Sequence, residues 1–483
     1  MRLSDLLRHC STPFTADADP DITHVTADSR QAGPGVLFVA LRGTKQDGAA
    51  FIPQAIAQGT SAVVVDQPYA ACVPVIVHPS PAHFLAVAAT KLAGAQPSRI
   101  AAITGTNGKS STAEFLRQLW ILRGFRAASL GTLGLVSDTN IPQPPSLTTP
   151  DPVSLAGTLA ALAGNGVQHV ALEASSHGLE QHRLDGVNIM AAGFSNLTRD
   201  HLDYHGTLSS YREAKLHLFE DLLPAAGIAA INADMDSETR NALHAIAAQQ
   251  GRQLREVGRT GTTIRLLDSR PTPLGQVVRL SLHGQELPEM TLALPGLFQA
   301  DNAMLAAALC WEDDADAHDV VSLLPKLMGV RGRCERAVEL PGGAAAYVDY
   351  AHTPDALERV LASLRPHTTG RLVVVFGAGG DRDKGKRPLM GEVAARMADL
   401  AIVTDDNPRS ENPATIRSEI HAACPNALEI GDRRSAIAAG LTALNAGDIL
   451  VVAGKGHELG QTVGKEVFPF DDREVLQTLA GVA

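Results

Sequence analysis

The sequence predicts an α/β protein of three domains, and three observations carry that expectation. Short apolar runs alternate with helical patterns along most of the 483 residues. Many of these runs end in polar or glycine-containing loops, the place where open α/β sheets bind ligands. The alternation restarts after "AGAQPSR" and again near "LMGVRGRCER". The expected domains are residues 1–92, 93–333 and 334–483, in line with about 150 residues per domain.

The elements follow in order. In the first domain "GVLFVAL" and "SAVVVD" read as strands, with the helical pattern "FIPQAIAQG" between them. The second opens with "IAAITGTNGKSSTAEFLRQLWILRG", a strand, a glycine-containing loop and a helix beginning at the lysine. Strands at "HVALEA", "MAAGF" and "GIAAINAD" continue a mostly parallel sheet with helices on both faces. The third repeats the scheme through "AAAYVDYAHTPDALERVLASL", "RLVVVFGAGGDRDKGKRP", "LAIVTDDNPR" and "GDILVVAGKGHELG".

Bulk properties exclude several classes. Hydrophobic residues make up 45% and charged residues 19%, enough for ample cores. A net charge of −11 gives no global pull toward nucleic acid or anionic membrane, so an anionic substrate needs local basic sites. No apolar run reaches membrane-spanning length, and "MRLSDLLRHCSTPF" lacks the apolar stretch of a signal peptide. The five cysteines are scattered and form no C-x-x-C pair, which fits reduced thiols in a cytoplasmic protein.

The strongest local signal is "ITGTNGKSS", residues 103–111. Backbone N–H groups of such a turn wrap phosphates at a helix N-terminus. Lys109 would reach the β/γ-phosphates and Ser110 would bind Mg²⁺. Ile103 stands where the common P-loop has its first glycine. A plain βα turn with a solvated lysine is the alternative, and the strand–turn–helix context favours phosphate. In "LEASSHGLEQHR", Glu173 ends an apolar strand and can hold a second Mg²⁺, while Ser175, Ser176, Gln181 and Arg183 can donate to an anion; a polar loop around His177 explains them equally well. "NLTRDHLDYHG" sets His201 and His205 four apart, on one face if helical. One of them can help to hold Mg²⁺, or both are structural.

Lys215 has Tyr211, Leu218 and Phe219 as its helical neighbours. The default for such a lysine is to snorkel. The alternative is a lysine of depressed pKa whose neutral amine adds CO₂ to form a carbamate. In the third domain Asp349 ends a strand. A glycine-rich loop presents Arg382, Lys384, Lys386 and Arg387, and "AGKGHE" adds Gly454, Lys455, His457 and Glu458. "DDNPR" ends an apolar run on opposite charges stiffened by Pro408. Alone it reads as a polar turn with a local Asp–Arg pair.

Together these motifs resemble the Mur ligases of peptidoglycan synthesis over nearly the whole chain, and within them the branch that adds the third peptide residue. The resemblance implies a small UDP-binding N-terminal domain, a central P-loop-type ATPase domain and a Rossmann-like C-terminal domain. "ADSRQAGPGVLFVALRGTKQDG" implies uridine and sugar contacts at Ala27, Ser29, Thr44, Lys45 and Gln46. "TGTNGKSS" matches the family's ATP loop at Gly105, Thr106, Asn107, Gly108, Lys109, Ser110 and Ser111. "LTTP" and "SSHGLEQHR" match its substrate segment at Thr148, Thr149, Ser175, Gln181 and Arg183. Asn302, Arg333 and Asp349 are implied for ATP, although Arg331 departs from the family's pattern before Gly332. Mg²⁺ is implied at Ser110, Glu173, His201 and a carbamate on Lys215. Lys109, Glu173, His201 and Lys215 are the implied catalytic residues. Arg382, Asp406, Asn407, Pro408, Arg409, Gly454 and Glu458 match the amino-acid site.

The implied reaction joins meso-diaminopimelate to the D-Glu γ-carboxylate of UDP-N-acetylmuramoyl-L-alanyl-D-glutamate through an acyl phosphate, with ATP and Mg²⁺ consumed or held by a cytoplasmic monomer whose domains close on their ligands. An arginine in "DDNPR" goes with diaminopimelate rather than L-lysine in the resembling family. Three rivals remain: an L-lysine-adding relative, a folylpolyglutamate synthase-like ligase, which shares the "GTNGK" loop, and a nucleotide-binding scaffold without turnover.

Overall fold

Strands that are apolar on both faces need cover on both, and this chain supplies it repeatedly. In Leu372–Phe376 every residue is buried. Val374 and Phe376 face one cluster, with Leu357, Leu361 and Met390, while Val373 and Val375 face another, with Ile437 and Leu476. Period-two side-chain alternation thus feeds two helical layers from one strand. The structure is a computed structural model that describes residues 1–14, 18–43, 47–145, 147–272 and 274–482. It divides into two compact units, Met1–Ile264 with Leu305–Val320, and Arg265–Met304 with Val321–Ala483.

The first unit opens with a parallel sheet in the order His24–Thr26, Val36–Val39, Ala62–Val65, Val75–Val77. Leu37, Val39, Ala62 and Val64 pack on one side of it, and Phe38, Ala40, Val63 and Val65 on the other. The helix Pro81–Ala93, capped by the Ser80 hydroxyl, covers the first of these faces. A second sheet runs Leu254–Gly258, Ile228–Asn232, Ile189–Phe194, Arg99–Thr104, His169–Glu173, Ala127–Gly131, all parallel, and ends on the antiparallel Gly134–Val136. The chain leaves Arg99–Thr104 toward Ala127–Gly131 on one side of the sheet and later fills in Ile189–Phe194 on the other. This is the switch at which open sheets form their crevice.

In the second unit the strand Gly275–Leu282 pairs antiparallel with Gln285–Glu286 and Met290–Leu292. The other sheet has the order Glu335–Glu339, Ala345–Asp349, Ile449–Ala453, Leu372–Phe376, Leu400–Val403, Leu428–Glu429. Only its first strand is antiparallel. A hairpin, Gly460–Val463 with Glu466–Pro469, follows. The helix beginning at Lys109 and most of the parallel strands were legible in the sequence, but His24–Thr26, Val75–Val77, Ala127–Gly131, Leu254–Gly258 and Leu428–Glu429 were not. The antiparallel segment and the hairpin were not foreseen, although each turns at a glycine, Gly284 and Gly464, of positive φ.

Two local expectations change. His201 and His205 do not share a helical face: the helix is Leu202–His205, and His201 precedes it with a left-handed φ of 50°. Arg387 does not sit on a loop surface. It is fully buried in the helix Lys386–Met397 and pairs with Glu411 and Glu419, each at 2.8 Å.

Candidate active site

In the first unit the loop after Arg99–Thr104 is braced by the loop after the neighbouring strand Ile189–Phe194. Thr106 N donates to Asn196 O (2.8 Å), Asn107 N to Asn196 Oδ1 (3.0 Å), and Ser195 Oγ to Asn107 O (2.5 Å). Gly105 has a φ of 136°, and a Cβ there would collide with the Ser195 hydroxyl, so only glycine fits. Gly108 caps the helix Lys109–Leu122, and Ser110 and Ser111 lie buried in its first turn. The bracing segment 195–198 was missed. Its only sequence signal was the polar "SNLT" at a strand end.

Lys109 folds back into its own loop and donates to Gly105 O and Thr106 O, both at 2.9 Å. Lys215 arrives from the helix Leu208–His217 and donates to the same Gly105 O at 2.9 Å. It does not snorkel: the residue is 1% exposed, and its ammonium lies 4.5 Å from the centre of the Tyr211 ring. Burial, with Lys109 nearby adding repulsion, drives the Lys215 pKa well below the ordinary lysine value, while Asp200 opposes. The Tyr211 hydroxyl bonds to Thr106 Oγ1 (3.3 Å), and the His201 ring centre is 6.2 Å from that of Tyr211.

Glu173 ends its strand beside Ile103. Its carboxylate accepts from Thr132 N (2.8 Å) and Thr132 Oγ1 (3.2 Å), and a Cβ on Gly131 would collide with it. Thr148 bonds to Thr132 (3.1 Å). Thr149 is buried, and its hydroxyl joins Glu173 O (2.7 Å) to Ser175 N (3.0 Å). Ser175 caps the short helix Ser176–Glu180. Arg183 donates to Thr149 O (2.6 Å) and Gln181 Oε1 (2.6 Å), and Gln181 donates to the Tyr204 hydroxyl (3.1 Å). The Thr148, Thr149, Ser175, Gln181 and Arg183 group is therefore one hydrogen-bonded chain. In the N-terminal sheet Ala27 is exposed, and Ser29 donates to Gln54 Oε1 (3.1 Å). Thr44, Lys45 and Gln46 lie outside the described residues.

The residues expected to hold Mg²⁺, Ser110, Glu173, His201 and, if it carried a carbamate, Lys215, would offer mostly hard oxygens, the chemistry that suits that ion. The room left by Gly131 for the Glu173 carboxylate, and a buried lysine of depressed pKa, fit that ion and a carbamate.

The second unit holds the remaining candidates. Asn302 is buried beside Gln299, with 3.3 Å between their side chains. The Arg333 guanidinium lies 4.9 Å from the Tyr350 ring centre. Asp349 accepts from Cys334 N (2.6 Å) and Ala351 N (2.8 Å), and burial raises its pKa against the opposing pull of Arg333 and these amides. Around "DDNPR" the expected local Asp–Arg pair is absent. Asp405 pairs with Arg417 instead, and Arg409 Nη1 donates to Gly380 O at 2.8 Å. Arg409 has a left-handed φ of 49°, and its backbone is held on both sides, N to Thr462 O (3.1 Å) and O to Gly464 N (2.7 Å). Asn407 donates to Glu458 Oε2 (2.9 Å). Gly454 has a φ of 119°, and a Cβ there would press on Asp406 Oδ2. Arg382 is exposed on its loop.

Beneath these groups lies a lysine whose importance the sequence did not reveal. Lys455 is fully buried and donates to Asn407 Oδ1 (3.0 Å) and Glu458 Oε2 (3.2 Å), with Asp406 at 3.8 Å. Arg433 and Asp472 form a wholly buried ion pair at 2.7 Å, and Arg433 also donates to Ala453 O (3.1 Å). Two buried cations thus balance the acids of this site.

Both strand-end clusters now have a family context. The family models for the Mur ligase catalytic domain, the Mur ligase middle domain and the Mur ligase glutamate ligase domain match residues 21–92, 103–310 and 332–456. The chain belongs to the Mur ligase family. A Caulobacter vibrioides protein described as UDP-N-acetylmuramoyl-L-alanyl-D-glutamate–2,6-diaminopimelate ligase is 50% identical over 100% of this chain and 99% of its own length. One from Rhizobium meliloti with the same description is 51% identical over 96% of this chain and 95% of its own. A solved structure of a ligase so described aligns with a TM-score of 0.74 at 32% identity, covering 100% of this chain and 99% of that one. As a Mur ligase the chain has the three-domain, mostly parallel α/β architecture of its family, and no helix among the described residues is long and apolar enough to cross a membrane.

Proposed function

We propose that this Mur ligase uses ATP to join meso-diaminopimelate to the D-Glu γ-carboxylate of UDP-N-acetylmuramoyl-L-alanyl-D-glutamate. One observation carries the amino-acid assignment: Arg409, pinned through its backbone on both sides beside Asp406, Asn407 and Glu458. Diaminopimelate differs from lysine by a carboxylate at the far end. A rigid guanidinium recognises that group by a bidentate fork, and Asp406, Asn407 and Glu458 take the ammonium beside it. Arg382 takes the other carboxylate, and Gly454 lets backbone approach.

In the first unit Gly105, Thr106, Asn107 and Gly108 wrap the ATP phosphates, with Lys109 and the first turn of the helix at Ser110 and Ser111. Lys109, now on two loop carbonyls, turns to the phosphates when they enter. Asn302, Arg333 and Asp349 serve the nucleotide's adenosine end. Ala27, Ser29 and the segment Thr44–Gln46 hold the uridine and sugar, while Thr148, Ser175, Gln181 and Arg183 orient the peptide's carboxylate. Thr149 acts from beneath, as a brace. That carboxylate attacks the γ-phosphorus, ADP leaves, and the acyl phosphate is attacked by the amine of the amino acid. The tetrahedral adduct collapses to amide and phosphate, and water must be kept from the acyl phosphate until then. Mg²⁺, held by Ser110, Glu173, His201 and a Lys215 carbamate, would neutralise phosphate charge. Lys109 shares that duty as a fixed cation, while Arg409 serves only the distal carboxylate of the amino acid.

We assign residues 1–92, 93–333 and 334–483 to the three domains, and a cytoplasmic monomer is the working form. Free thiols at all five cysteines support a reducing compartment. The test is ATP-dependent product formation from the UDP-dipeptide with a panel of diamino acids. Amide product and phosphate release with meso-diaminopimelate, and little with L-lysine, are expected. Equal kcat/KM for both overturns the specificity, and phosphate release without the UDP-dipeptide overturns the ligase reading.

A further inference from the structure

Away from the phosphate loop, three imidazoles converge on one buried carboxylate. Asp185 has a side chain only 3% exposed. His83 Nδ1 and His182 Nδ1 each lie 2.7 Å from its Oδ2, and His217 Nε2 lies 3.4 Å from its Oδ1. The four residues come from separate parts of the first unit. His83 sits in the first turn of the helix Pro81–Ala93, His182 and Asp185 in the turn after Ser176–Glu180, and His217 at the end of Leu208–His217. None is used by the ligase chemistry above.

Two features set this cluster apart from a chance surface ion pair. First, both Nδ1 atoms point at the same oxygen, and the ligand atoms of His83, His182 and Asp185 all lie within 4.8 Å of one another. Second, His182 adopts a left-handed φ of 56°, a costly conformation for a non-glycine residue. That backbone is what turns its ring back toward Asp185, three residues on.

We propose that His83, His182 and Asp185 form a binding site for a zinc-class divalent transition-metal ion. Two neutral imidazole nitrogens and one carboxylate oxygen are a donor set for such ions, and too nitrogen-rich for Mg²⁺ or Ca²⁺. Ligand atoms 2.0–2.1 Å from a tetrahedral ion stand about 3.3 Å apart, so each N···O pair has to open by roughly half an ångström. All three ligands are side chains on a short turn or a first helical turn, where such a shift is small. His217 completes the arrangement. Its Nε2 faces the second oxygen of Asp185, and its Nδ1 is held by Asp221 Oδ2 at 2.7 Å, the carboxylate–histidine relay that orients ligands at metal sites. It serves as a fourth ligand or as the partner that aims the carboxylate.

The ion would tie the N-terminal helix to the turn that also carries Gln181 and Arg183. It would act as a clip between the first sheet's helix and the substrate segment. The competing reading is a purely hydrogen-bonded cluster in which both Nδ1 atoms carry protons.

The test uses the full chain, stripped with a chelator and kept in excess Mg²⁺ so that hard-oxygen sites are filled. Zn²⁺ is titrated by calorimetry, and Co²⁺ by its visible absorption, which reports nitrogen–oxygen coordination. One equivalent should bind, and thermal melting should shift upward with it. His83→Gln and Asp185→Asn should each weaken binding at least about tenfold, the lower bound for losing even an outer partner of a metal site. Lys215→Ala should leave this binding intact, separating it from the phosphate loop. His83 is 45% exposed, so H83Q carries the test if D185N fails to fold. No stoichiometric binding, or binding untouched by H83Q, overturns the proposal and leaves a hydrogen-bonded hub.

Discussion

Lys215 and Arg409 are the residues at which elementary chemistry makes the sharpest demands. For a lysine 1% exposed, burial and the repulsion of Lys109 lower the pKa, so the neutral amine is more accessible than in an ordinary lysine. A neutral amine adds CO₂, and the resulting carbamate offers oxygens that the amine lacks. Lys215→Ala should therefore abolish ligation, and added short carboxylic acids should partly restore it by supplying those oxygens. A plain amine in fully active enzyme, seen by mass spectrometry of the intact chain, would remove the carbamate. At Arg409 the left-handed backbone costs about 1–3 kcal/mol that the surrounding bonds must offset. That expense makes sense if the guanidinium has to stand in one place. Arg409→Ala should lower kcat/KM for meso-diaminopimelate by ~30-fold or more, the equivalent of losing one partner of a buried charge pair. Use of L-lysine should change little. Equal losses for both amino acids would mean that Arg409 acts on their shared end or on the fold. The sequence showed that Lys215 was anomalous but favoured snorkelling, because neighbours at helical spacing do not reveal what lies above a helix. The contact that the sequence could not show is the one from outside the helix, Gly105 O at 2.9 Å.

Elements were legible where burial is two-sided and terse where it is not. Ile103 to Ser111 announced strand, turn and helix because a phosphate-type loop needs glycine at fixed offsets. The strand Gly275–Leu282 was passed over although Gly275 and the His283–Gly284 turn bracket it, because Arg279 and Ser281 interrupt its apolar residues and its buried polar Gln276 and Ser281 do not read as core. The helix–strand contact at the other end of the phosphate-loop helix yields a prediction of its own. His169 opens the strand His169–Glu173 and packs against Trp120 and Phe125, with ring centres 5.0 and 4.3 Å away. Its Nδ1 has no hydrogen-bond partner among the described residues. Burial, with Arg99 and Arg123 adding repulsion, lowers its pKa to about 4. The unfolded chain protonates this imidazole near pH 6.5, whereas the folded chain resists until about 4. Between those values the unfolded state binds more protons, so stability falls as pH falls, by up to ~3 kcal/mol. Urea unfolding at pH 7 and pH 5 should show about 2 kcal/mol of that loss, and His169→Phe should flatten it. An unchanged slope in the variant would assign the acid sensitivity to other groups.

At the scale of the whole molecule, composition gave no global pull toward nucleic acid or anionic membrane and left the arrangement of domains open. Net charge of −11 says nothing about where the few cations stand, and in the amino-acid site two of them, Lys455 and Arg433, are buried beneath acids. No pattern in "AGKGHE" distinguishes a lysine that props a site from one that binds a ligand, because both sit in a glycine-rich loop at a strand end. The same limit applies to domain boundaries. The strand Glu335–Glu339 pairs antiparallel with Ala345–Asp349, and the sheet they join has apolar clusters on both faces. Those clusters draw nearly all their residues from beyond Cys334, so this segment owns its core. About 150 residues with a two-faced core bury some 68–70% of their unfolded surface, which suffices for autonomous stability of about 5–15 kcal/mol. Against this, His367 bonds to Gly296 N (2.8 Å) and Thr272 O (2.8 Å), links that a fragment would lose. With Gln299 Nε2 donating to Arg333 O (3.2 Å) and Arg336 Nη1 to Leu274 O (3.4 Å), these hydrogen bonds at about 1 kcal/mol each are still small beside that core. A fragment of residues 327–483 should therefore fold cooperatively by circular dichroism. It should bind meso-diaminopimelate more tightly than L-lysine by calorimetry, because Asp406, Asn407, Arg409, Lys455 and Glu458 all lie within it. It should release no phosphate from ATP, since Lys109 and Lys215 are gone. A fragment that stays unfolded would show that the core depends on residues 265–304. A folded fragment blind to the distal carboxylate would move the reading of that group away from Arg409.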